Sequence, residues 1–255
     1  MTETTDIAPE LEGRPPTWET VEIDATTVEE VKGLAEKANQ AGGGYHVLRP
    51  LPGVVVTGEY DMAPNLPAFH IPEDLRGKTV LDVGTASGFF AMECARRGAS
   101  VTAVDVVFWD EYHWAIADKM KWDVRRVKSD IYDLDPSLGQ FDLVICGSLL
   151  LHLPDPLGAI RRLRDVCRGR TIVSTASPEH EADGPICEFV GETRENGAYW
   201  SYWNIGAEAL RRMLIAAGFD RVEHQDAFTL NPVPDHPHTW SIPHTVAHGV
   251  VASGS

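Results

Sequence analysis

The sequence is poor in cysteine and has no pair of cysteines at metal-binding spacing. Its four cysteines are widely separated, at Cys94, Cys146, Cys167 and Cys187. With no CxxC pair, the spacing predicts neither a disulfide framework nor a zinc knuckle, and we expect reduced thiols. Histidines are more frequent near the end of the chain, at His236, His238, His244 and His248. Their mixed spacing among prolines matches no compact metal motif, so we expect no metal site.

Long apolar runs are absent as well. No stretch approaches the roughly 20 consecutive apolar residues that a membrane-spanning helix needs. The amino terminus, MTETTDIAPELEG, is acidic, whereas a secretory signal would be basic and then apolar. These features predict a soluble cytoplasmic protein without a membrane partner.

Basic residues are scarce relative to acidic ones. The chain has 22 Lys and Arg against 38 Asp and Glu, a formal net charge of −16. Such a field repels polyphosphate and anionic lipid, so nucleic acid is an unlikely partner. One cluster could still form a basic patch, although its helical spacing favours a solvated helix face. It consists of Arg161, Arg162, Arg164, Arg168 and Arg170.

The organisation of the chain changes near residue 77. Residues 1–76 are expected to form an extension: an amphipathic helix over 27–41, stopped by Gly42, Gly43 and Gly44, then a Pro- and Gly-rich flap over 45–72. Residues 77–255 are expected to form the main domain. With 255 residues and 43% hydrophobic composition, the chain can bury one α/β domain with appendages.

Short β-branched runs alternate with helical patterns beyond residue 77, which predicts a parallel sheet with helices on both faces. Seven strands are predicted, over 79–83, 100–105, 124–129, 141–146, 170–175, 220–228 and 245–252. Helices are predicted over 89–97, 112–121, 156–164 and 206–217.

The most informative motif is the turn that follows the first of these strands. An apolar strand runs into Gly84-Thr85-Ala86-Ser87-Gly88 and then into a helix. Small residues let the backbone approach a ligand at the carboxyl end of the strand. About 20 residues on, the second strand ends in Asp105, which is placed to accept hydrogen bonds from two ribose hydroxyls.

The positions of the glycines in this turn distinguish between the cofactors that contain a nucleotide or nucleoside. A dinucleotide fingerprint has Gly at its first, third and sixth places, where this chain has Gly84, Ala86 and Phe89. Phe89 would block a pyrophosphate. The pattern instead resembles the S-adenosylmethionine motif, acidic-x-Gly-x-Gly-x-Gly. Ala86 stands at one glycine place of this motif and differs from glycine by one methyl group. The methyl group would strain the backbone mildly if the position needs a positive φ. Asp82 supplies the acidic place and could reach the methionine ammonium directly or through water.

The alternative is an ordinary tight turn from strand to helix. That alternative leaves unexplained both Asp105 and the Asp130-Ile131 pair that follows the third strand.

Over residues 77–255 the chain resembles the class I S-adenosylmethionine-dependent methyltransferase superfamily, an α/β, Rossmann-like, seven-stranded fold. The run FHIPEDLRGKTVLDVGTASGFFAMECARRGASVTAVD resembles the branch that includes the transfer RNA wobble-uridine carboxymethyltransferase and many uncharacterised bacterial relatives. The resemblance implies S-adenosylmethionine as cofactor, with an acidic side chain at the adenine amino group and an apolar one at its ring. It implies cofactor contacts from Asp82, Gly84, Thr85, Ala86, Gly88, Asp105, Val106, Asp130, Ile131, Cys146, Gly147 and Ser148.

Methyl transfer mainly requires alignment of a nucleophile and sometimes removal of its proton, and no metal is required. The fold places the segment GSLLLHLPDP beside the transferred methyl, which makes His152 the candidate general base. The alternative is that His152 caps or packs against the start of the next helix.

An aromatic segment, residues 199–204, follows the fifth strand and could shape an acceptor pocket. The predicted acceptor-binding residues are Tyr60, His152, Glu188, Trp200, Trp203 and Asn204. The aromatics could equally be core or interface residues. The flap side chains Tyr45, His46, Tyr60 and His70 could close over the site, or simply pack on the domain.

These features predict methyl transfer to a small-molecule acceptor, with oxygen favoured because one histidine suffices as base. A second hypothesis is carboxymethyl transfer from carboxy-S-adenosylmethionine, which needs a cation; Lys78, Arg49 and Arg194 are the candidates. A third is an S-adenosylmethionine-binding protein of the same fold that transfers no methyl group. The acceptor and the oligomeric state are not indicated by the sequence.

Overall fold

The structure is a computed structural model that describes residues 23–179, 184–193, 199–237 and 240–252. The acidic amino-terminal segment, Arg194, His238 and the side chain of Tyr199 lie outside the described residues.

Helix α1 (Ala25–Gln40) opens the described chain and confirms the predicted amphipathic helix, with a start two residues earlier. Asp24 caps it, because its carboxylate accepts a hydrogen bond from the Thr27 amide at 2.9 Å. The helix buries one face, formed by Val31, Ala35 and Ala38. It ends before Gly42, whose φ of 106° lies in the region that favours glycine.

The flap consists of four short strands and a 3-10 helix. The strands are β1 (Gly44–His46), β2 (Leu48–Leu51), β3 (Val54–Val56) and β4 (Gly58–Tyr60), and the 3-10 helix covers Ala63–Phe69. Strand β1 pairs in parallel with β4, and β2 pairs antiparallel with β3. Buried flap residues such as Val56 and Phe69 belong to the same hydrophobic cluster as α1 and the main sheet. The flap therefore has no separate core.

The seven predicted strands and four predicted helices are all present, and β10 and β11 are two strands that the sequence analysis did not predict. The strands are β5 (Thr79–Val83), β6 (Ser100–Asp105), β7 (Val124–Lys128), β8 (Phe141–Gly147), β9 (Cys167–Ala176), β10 (Cys187–Thr193), β11 (Tyr199–Ile205), β12 (Arg221–Leu230) and β13 (Ile242–Val250). The helices are α2 (Phe89–Arg96), α3 (Glu111–Lys119), α4 (Pro156–Val166) and α5 (Ala207–Ala216).

Seven strands form the central sheet in the order β12-β13-β9-β8-β5-β6-β7, which confirms the predicted Rossmann-like architecture. Strand β13 runs antiparallel to both neighbours, while β5 to β9 are mutually parallel. One apolar cluster covers the face that carries α1, α2, α3 and the flap, and a second covers the face that carries α4 and α5. The strand order reverses between β5 and β8, where α/β sheets open a crevice at the carboxyl ends of their strands.

Strands β10 and β11 form a separate antiparallel hairpin inserted between β9 and α5. The hairpin packs on the 3-10 helix Leu150–His152, which follows β8. It therefore brings the predicted aromatic segment to the same end of the sheet as the carboxyl end of β8.

Most arginines of the possible basic patch are engaged with acidic groups or with the core. Arg162, Arg168 and Arg170 form ion pairs with Asp165, Asp142 and Glu223. Arg164 lies over the Phe219 ring and donates to the Gly218 carbonyl. These contacts reduce the positive charge that the cluster offers to a polyanion.

None of the helices in the described ranges is long and apolar enough to cross a membrane.

Candidate active site

A cavity of about 470 Å³ lies where β5, β6 and β8 end, with the flap, the β10–β11 hairpin and the β12–β13 end of the sheet around it. The predicted residues on its wall are Gly84, Ala86, Asp105, Val106, Gly147, Ser148, Tyr60, His152 and Trp200. The predicted residues that do not line it are Asp82, Thr85, Gly88, Asp130, Ile131, Cys146, Glu188, Trp203 and Asn204.

The turn between β5 and α2 has three residues in the left-handed region. The φ angles are 73° at Gly84, 48° at Ala86 and 86° at Gly88. A Cβ at Gly88 would lie 2.5 Å from the Trp114 ring, so this position has no room for a side chain. Ala86 carries its methyl in a conformation that L-residues adopt at a cost, which is the strain that the departure from glycine implies.

Asp105 joins this turn to the end of β6. Its carboxylate accepts hydrogen bonds from the Ala86 amide at 2.8 Å and from the Val107 amide at 3.1 Å. Both bonds aim the carboxylate at the cavity wall, where Asp105 and Val106 are neighbours. Contact with two ribose hydroxyls stays a prediction.

Asp82 lies behind the turn and not on the cavity wall. Its carboxylate is buried and accepts hydrogen bonds from the Thr85 hydroxyl at 2.6 Å and the Ala91 amide at 3.0 Å. Burial raises the pKa of Asp82 to about 7 against the lowering effect of these two bonds. Asp82 therefore joins the loop after β5 to the beginning of α2. Its carboxylate does not face the cavity, so it makes no direct contact with a ligand there. A link through water stays a prediction.

Asp130 and Ile131 lie away from the wall of this cavity. Asp130 caps a short 3-10 helix by accepting a hydrogen bond from the Tyr132 amide at 3.0 Å, while the Ile131 side chain is buried in the core. Asp130 and Ile131 thus have structural roles, as a helix cap and as a core residue. A contact of either residue with adenine stays a prediction.

Of the three predicted residues at the end of β8, one is buried and two face the cavity. Cys146 is fully buried beneath the wall, and burial raises the pKa of its thiol to about 12. Gly147 and Ser148 face the cavity. The hydroxyls of Ser148 and Ser174 are 2.6 Å apart, which ties this wall to β9.

His152 faces the cavity from the 3-10 helix after β8. Its Nδ1 is hydrogen-bonded to the backbone carbonyl of Trp200 in the inserted hairpin. A carbonyl oxygen can only accept, so Nδ1 carries a proton and the neutral ring has its lone pair at Nε2. Helix α4 is capped by Asp155, whose carboxylate accepts from the Gly158 amide at 2.8 Å, so the interpretation of His152 as its cap is wrong.

The other predicted acceptor-binding residues divide between the cavity and the hairpin. Trp200 lines the cavity, and its indole donates to Glu192 at 2.9 Å. Glu188 and Asn204 are cross-strand neighbours in the hairpin, with a hydrogen bond of 3.0 Å between them. The Trp203 indole reaches the Pro154 carbonyl at 3.4 Å. Glu188 and Asn204 thus join the two strands of the hairpin, and Trp203 joins the hairpin to the segment before α4. None of the three lines the described cavity.

The flap contributes Tyr45, His46 and Tyr60 to the wall. His46 Nδ1 is 2.9 Å from the hydroxyl of Ser87 in the turn after β5, and burial lowers the pKa of His46 to about 3. The Tyr60 ring packs edge-on against the Tyr45 ring, with centroids 5.3 Å apart. His70 does not line the cavity and instead pairs with Asp226 at 2.9 Å.

Sequence reasoning missed a large part of the wall. The lining residues without a prediction are Glu59, Met62, Val107, Trp109, Leu149, Leu151, Phe228, Leu230, Trp240, Ile242 and His244. Strand β13 begins at Ile242, three residues before the predicted strand, so it brings His244 to the end of the sheet beside Ala176 of β9. No local pattern in the sequence indicates that His244 faces the cavity, because this depends on the antiparallel direction in which β13 enters the sheet.

The cavity wall carries acidic and neutral groups. Among the described lining residues there is no Lys or Arg, and the acidic ones are Glu59 and Asp105. Arg49, a candidate cation, lies away from the wall and pairs with Asp61 at 2.6 Å. Lys78 is also not on the wall. The arrangement therefore favours a cationic or neutral ligand over an anionic one.

Comparison with known proteins agrees with this architecture. The sequence model of a family described as methyltransferase domain matches residues 57–224, about two thirds of the chain. The chain belongs to this methyltransferase domain family. The matched region contains the turn after β5, Asp105 and His152, but ends before the β12 and β13 residues of the cavity.

Relatives of this methyltransferase domain include a ubiquinone biosynthesis O-methyltransferase of Pseudomonas paraeruginosa, 34% identical over 116 residues, which are 42% of this chain and 48% of that protein. A magnesium-protoporphyrin O-methyltransferase of Rhodobacter capsulatus is 36% identical over 88 residues, 34% of this chain and 38% of that protein. The chain thus spans about half the length, or less, of the curated relatives it matches.

Solved structures share the fold at low identity. The N-terminal domain of EvdMO1, solved with SAH bound, superposes with a TM-score of 0.59 at 20% identity, over 86% of this chain and 96% of that one. A Burkholderia thailandensis 1,6-didemethyltoxoflavin-N1-methyltransferase gives 0.52 at 20% identity, over 90% and 92%. At this identity the likeness shows the fold of the methyltransferase domain and nothing finer.

Proposed function

We propose that this methyltransferase domain transfers a methyl group from S-adenosylmethionine to a small-molecule acceptor, with oxygen as the favoured reacting atom. The observation that carries the proposal is the orientation of His152. Its Nδ1 is held by the Trp200 carbonyl, and the ring lines the same cavity as Gly84, Asp105 and Ser148. The proposed proton acceptor thereby lines the same cavity as the small-residue turn.

The residues present fit the proposed cofactor. Gly84 and Ala86 leave room for close approach of a ligand to the backbone, and Asp105 offers a carboxylate of the kind that binds ribose hydroxyls. A sulfonium is a cation, and the described cavity wall has two carboxylates, several aromatic rings and no Lys or Arg. Phe89, at the place where a dinucleotide motif needs glycine, is buried, and its ring centroid lies 5.6 Å from that of His46.

When bound, S-adenosylmethionine supplies a methyl group already activated by its sulfonium. The chain's own contribution is then to hold the acceptor in line and to take its proton at Nε2 of His152. The Trp200 carbonyl stabilises the resulting imidazolium, because Nδ1–H remains its donor in both protonation states. The aromatic residues of the flap and the hairpin exclude water from this exchange.

The names of the relatives support transfer to oxygen, since the two curated relatives compared above are O-methyltransferases, whereas the toxoflavin enzyme is an N-methyltransferase. Carboxymethyl transfer, the activity of the transfer RNA branch that the sequence resembles, is less well supported. It needs a cation beside the transferred group, and the described wall of the cavity has no Lys or Arg.

The test is calorimetry followed by a transfer assay. We expect S-adenosylmethionine and S-adenosylhomocysteine to bind, and NAD to bind at least about 100-fold more weakly, because the turn after β5 has Phe89 where a dinucleotide motif has its third glycine. Incubation with a library of small hydroxylated and aminated compounds should then give products heavier by one methyl group. A folded protein that binds neither sulfur ligand would rule the proposal out, and a carboxymethyl mass increment would replace it.

A further inference from the structure

The cavity wall carries two imidazoles besides His152, those of His46 and His244, and the proposed chemistry uses neither. His244 lies near the beginning of β13, is 3% exposed, and lines the same cavity as His152. It lies beyond residue 224, where the family match ends. Nothing in the turn, the cofactor-binding residues or the base requires a histidine at this position.

The His244 ring is fixed in one orientation. Its Nδ1 is 2.9 Å from the backbone carbonyl of Ile242, and the ring stacks on Phe228 with centroids 4.9 Å apart and planes inclined by 12°. The carbonyl can only accept, so Nδ1 carries the proton and Nε2 has the lone pair. His152 is held in the same tautomer by the carbonyl of Trp200.

His244 stays neutral across the physiological pH range. Burial lowers its pKa to about 4, while the hydrogen bond to the Ile242 carbonyl acts in the opposite direction. Protonation of His152 would lower the pKa of His244 further by repulsion. A ring that stays neutral at the working pH is poorly suited as a general base. In the proposed function that role already belongs to His152. The His244 ring is well suited to accept a hydrogen bond without changing charge.

The surroundings of His244 restrict the ligand further. Phe228, Leu230 and Ile242 form apolar walls beside it, and Trp200 and Trp240 complete an aromatic border. A flat ring fits between such walls. An anionic acceptor would meet no Lys or Arg on the described wall, whereas a buried lone pair gains from an O–H or N–H donor.

We propose that His244 is an acceptor-binding residue that selects an uncharged hydroxyarene carrying a second O–H or N–H donor besides the reacting group. The reacting hydroxyl faces His152, and the second donor faces Nε2 of His244. This inference rests on the proposed function and adds to it a class of acceptor and the residue that discriminates within that class. A ligand without the second donor leaves a buried acceptor without a hydrogen bond, which weakens its binding.

The experiment measures binding of four probes to protein saturated with S-adenosylhomocysteine: phenol, catechol, resorcinol and hydroquinone. For the unaltered protein we expect at least one diphenol to bind about 10-fold or more tightly than phenol. His244→Phe keeps the ring shape but removes the lone pair, so the preference should fall below about 2-fold. His244→Gln, whose amide oxygen can still accept, should retain part of the preference.

The matched control is His224→Gln, which changes an exposed histidine of β12 away from the cavity wall and should retain the full preference. Affinity for S-adenosylhomocysteine, measured for every variant, separates loss of discrimination from loss of folding. Equal binding of phenol and all diphenols, or a preference that survives in His244→Phe, would overturn the assignment of His244. Binding of S-adenosylhomocysteine with no binding of any probe overturns the acceptor class alone, whereas no binding of S-adenosylhomocysteine removes the proposed function itself.

Discussion

The Ala86 amide donates a hydrogen bond to the Asp105 carboxylate at 2.8 Å, and this bond joins the turn after β5 to the end of β6. The two residues are 19 positions apart in sequence. Their contact fixes the left-handed conformation of Ala86 and the direction of the carboxylate together. The part of the cavity wall formed by the turn and by Asp105 is therefore one hydrogen-bonded unit rather than two independent loops.

Replacement of Asp105 should weaken ligand binding. In Asp105→Ala the ribose hydroxyls lose their proposed acceptor, and the turn loses the bond to Ala86. Hydrogen bonds to a charged group contribute about 1.5–3 kcal/mol, so we expect affinity for S-adenosylmethionine to fall by about 10- to 150-fold in calorimetry. Asp123→Ala is the matched control, because Asp123 binds Ser100 at the opposite end of β6. Equal affinity of Asp105→Ala and the unaltered protein would contradict the assignment.

Replacement of His152 should slow turnover and leave cofactor binding unchanged. His152→Ala removes the proposed base, a change that costs about 10²- to 10⁴-fold in kcat for general base catalysis. Single-turnover assays with an acceptor from the library screen would measure the effect. Cofactor affinity is the internal control, since His152 is not among the residues proposed to bind the cofactor. Turnover that is unaffected would show that His152 is a packing residue.

Ala86→Gly should stabilise the fold. A left-handed conformation costs an L-residue about 1–2 kcal/mol, and the added chain entropy of glycine opposes this by about 0.5–1 kcal/mol. We expect the free energy of unfolding to rise by about 0.5–1 kcal/mol in chemical denaturation. Ala115→Gly is the control of opposite sign, because Ala115 lies within α3 and glycine costs about 1 kcal/mol in a helix. A decrease in the free energy of unfolding of Ala86→Gly would mean that packing of the Ala86 methyl group stabilises the fold by more than its backbone strain costs.

Asp82→Asn should change the pH dependence of stability. Burial raises the pKa of Asp82 to about 7 from an ordinary value of 3.8, so the folded state favours the protonated carboxyl. Its contribution is fully present below pH 3.8 and is lost as the pH rises through 7. The stability of the unaltered protein relative to Asp82→Asn should therefore fall between pH 4 and pH 8, by up to about 1.4 kcal/mol per pH unit.

The comparison for this effect is Asp74→Asn, measured by the same denaturation series. Hydrogen bonds from Arg76 hold the pKa of the exposed Asp74 below its usual range, so its contribution is present near neutral pH and is lost on acidification. The two variants should thus differ from the unaltered protein in opposite directions with pH, with a small effect at Asp74 because it is exposed. If the free energy of unfolding changed with pH in the same way in Asp82→Asn and in the unaltered protein, the raised pKa of Asp82 would be refuted.

Strands β5 and β6 could be predicted with their exact bounds, because each is an apolar run bounded by a turn residue or a charge. The turn from Gly84 to Gly88 could be identified for a similar reason, since its backbone angles demand small residues at fixed places. Asp82 shows the limit of this reasoning. A motif position gives the residue type but not the direction of the side chain, and here the carboxylate turns inward to Thr85 and Ala91.

The sequence by itself determined the strands of the central sheet, its helices and the small residues of the turn after β5, because these depend on periodicity and local backbone constraints. Only the tertiary structure decided which distant side chains share the cavity. It brought the Trp200 carbonyl to His152 and placed His244 at the same end of the sheet, since hairpin docking and antiparallel strand direction follow from packing between segments far apart in the chain.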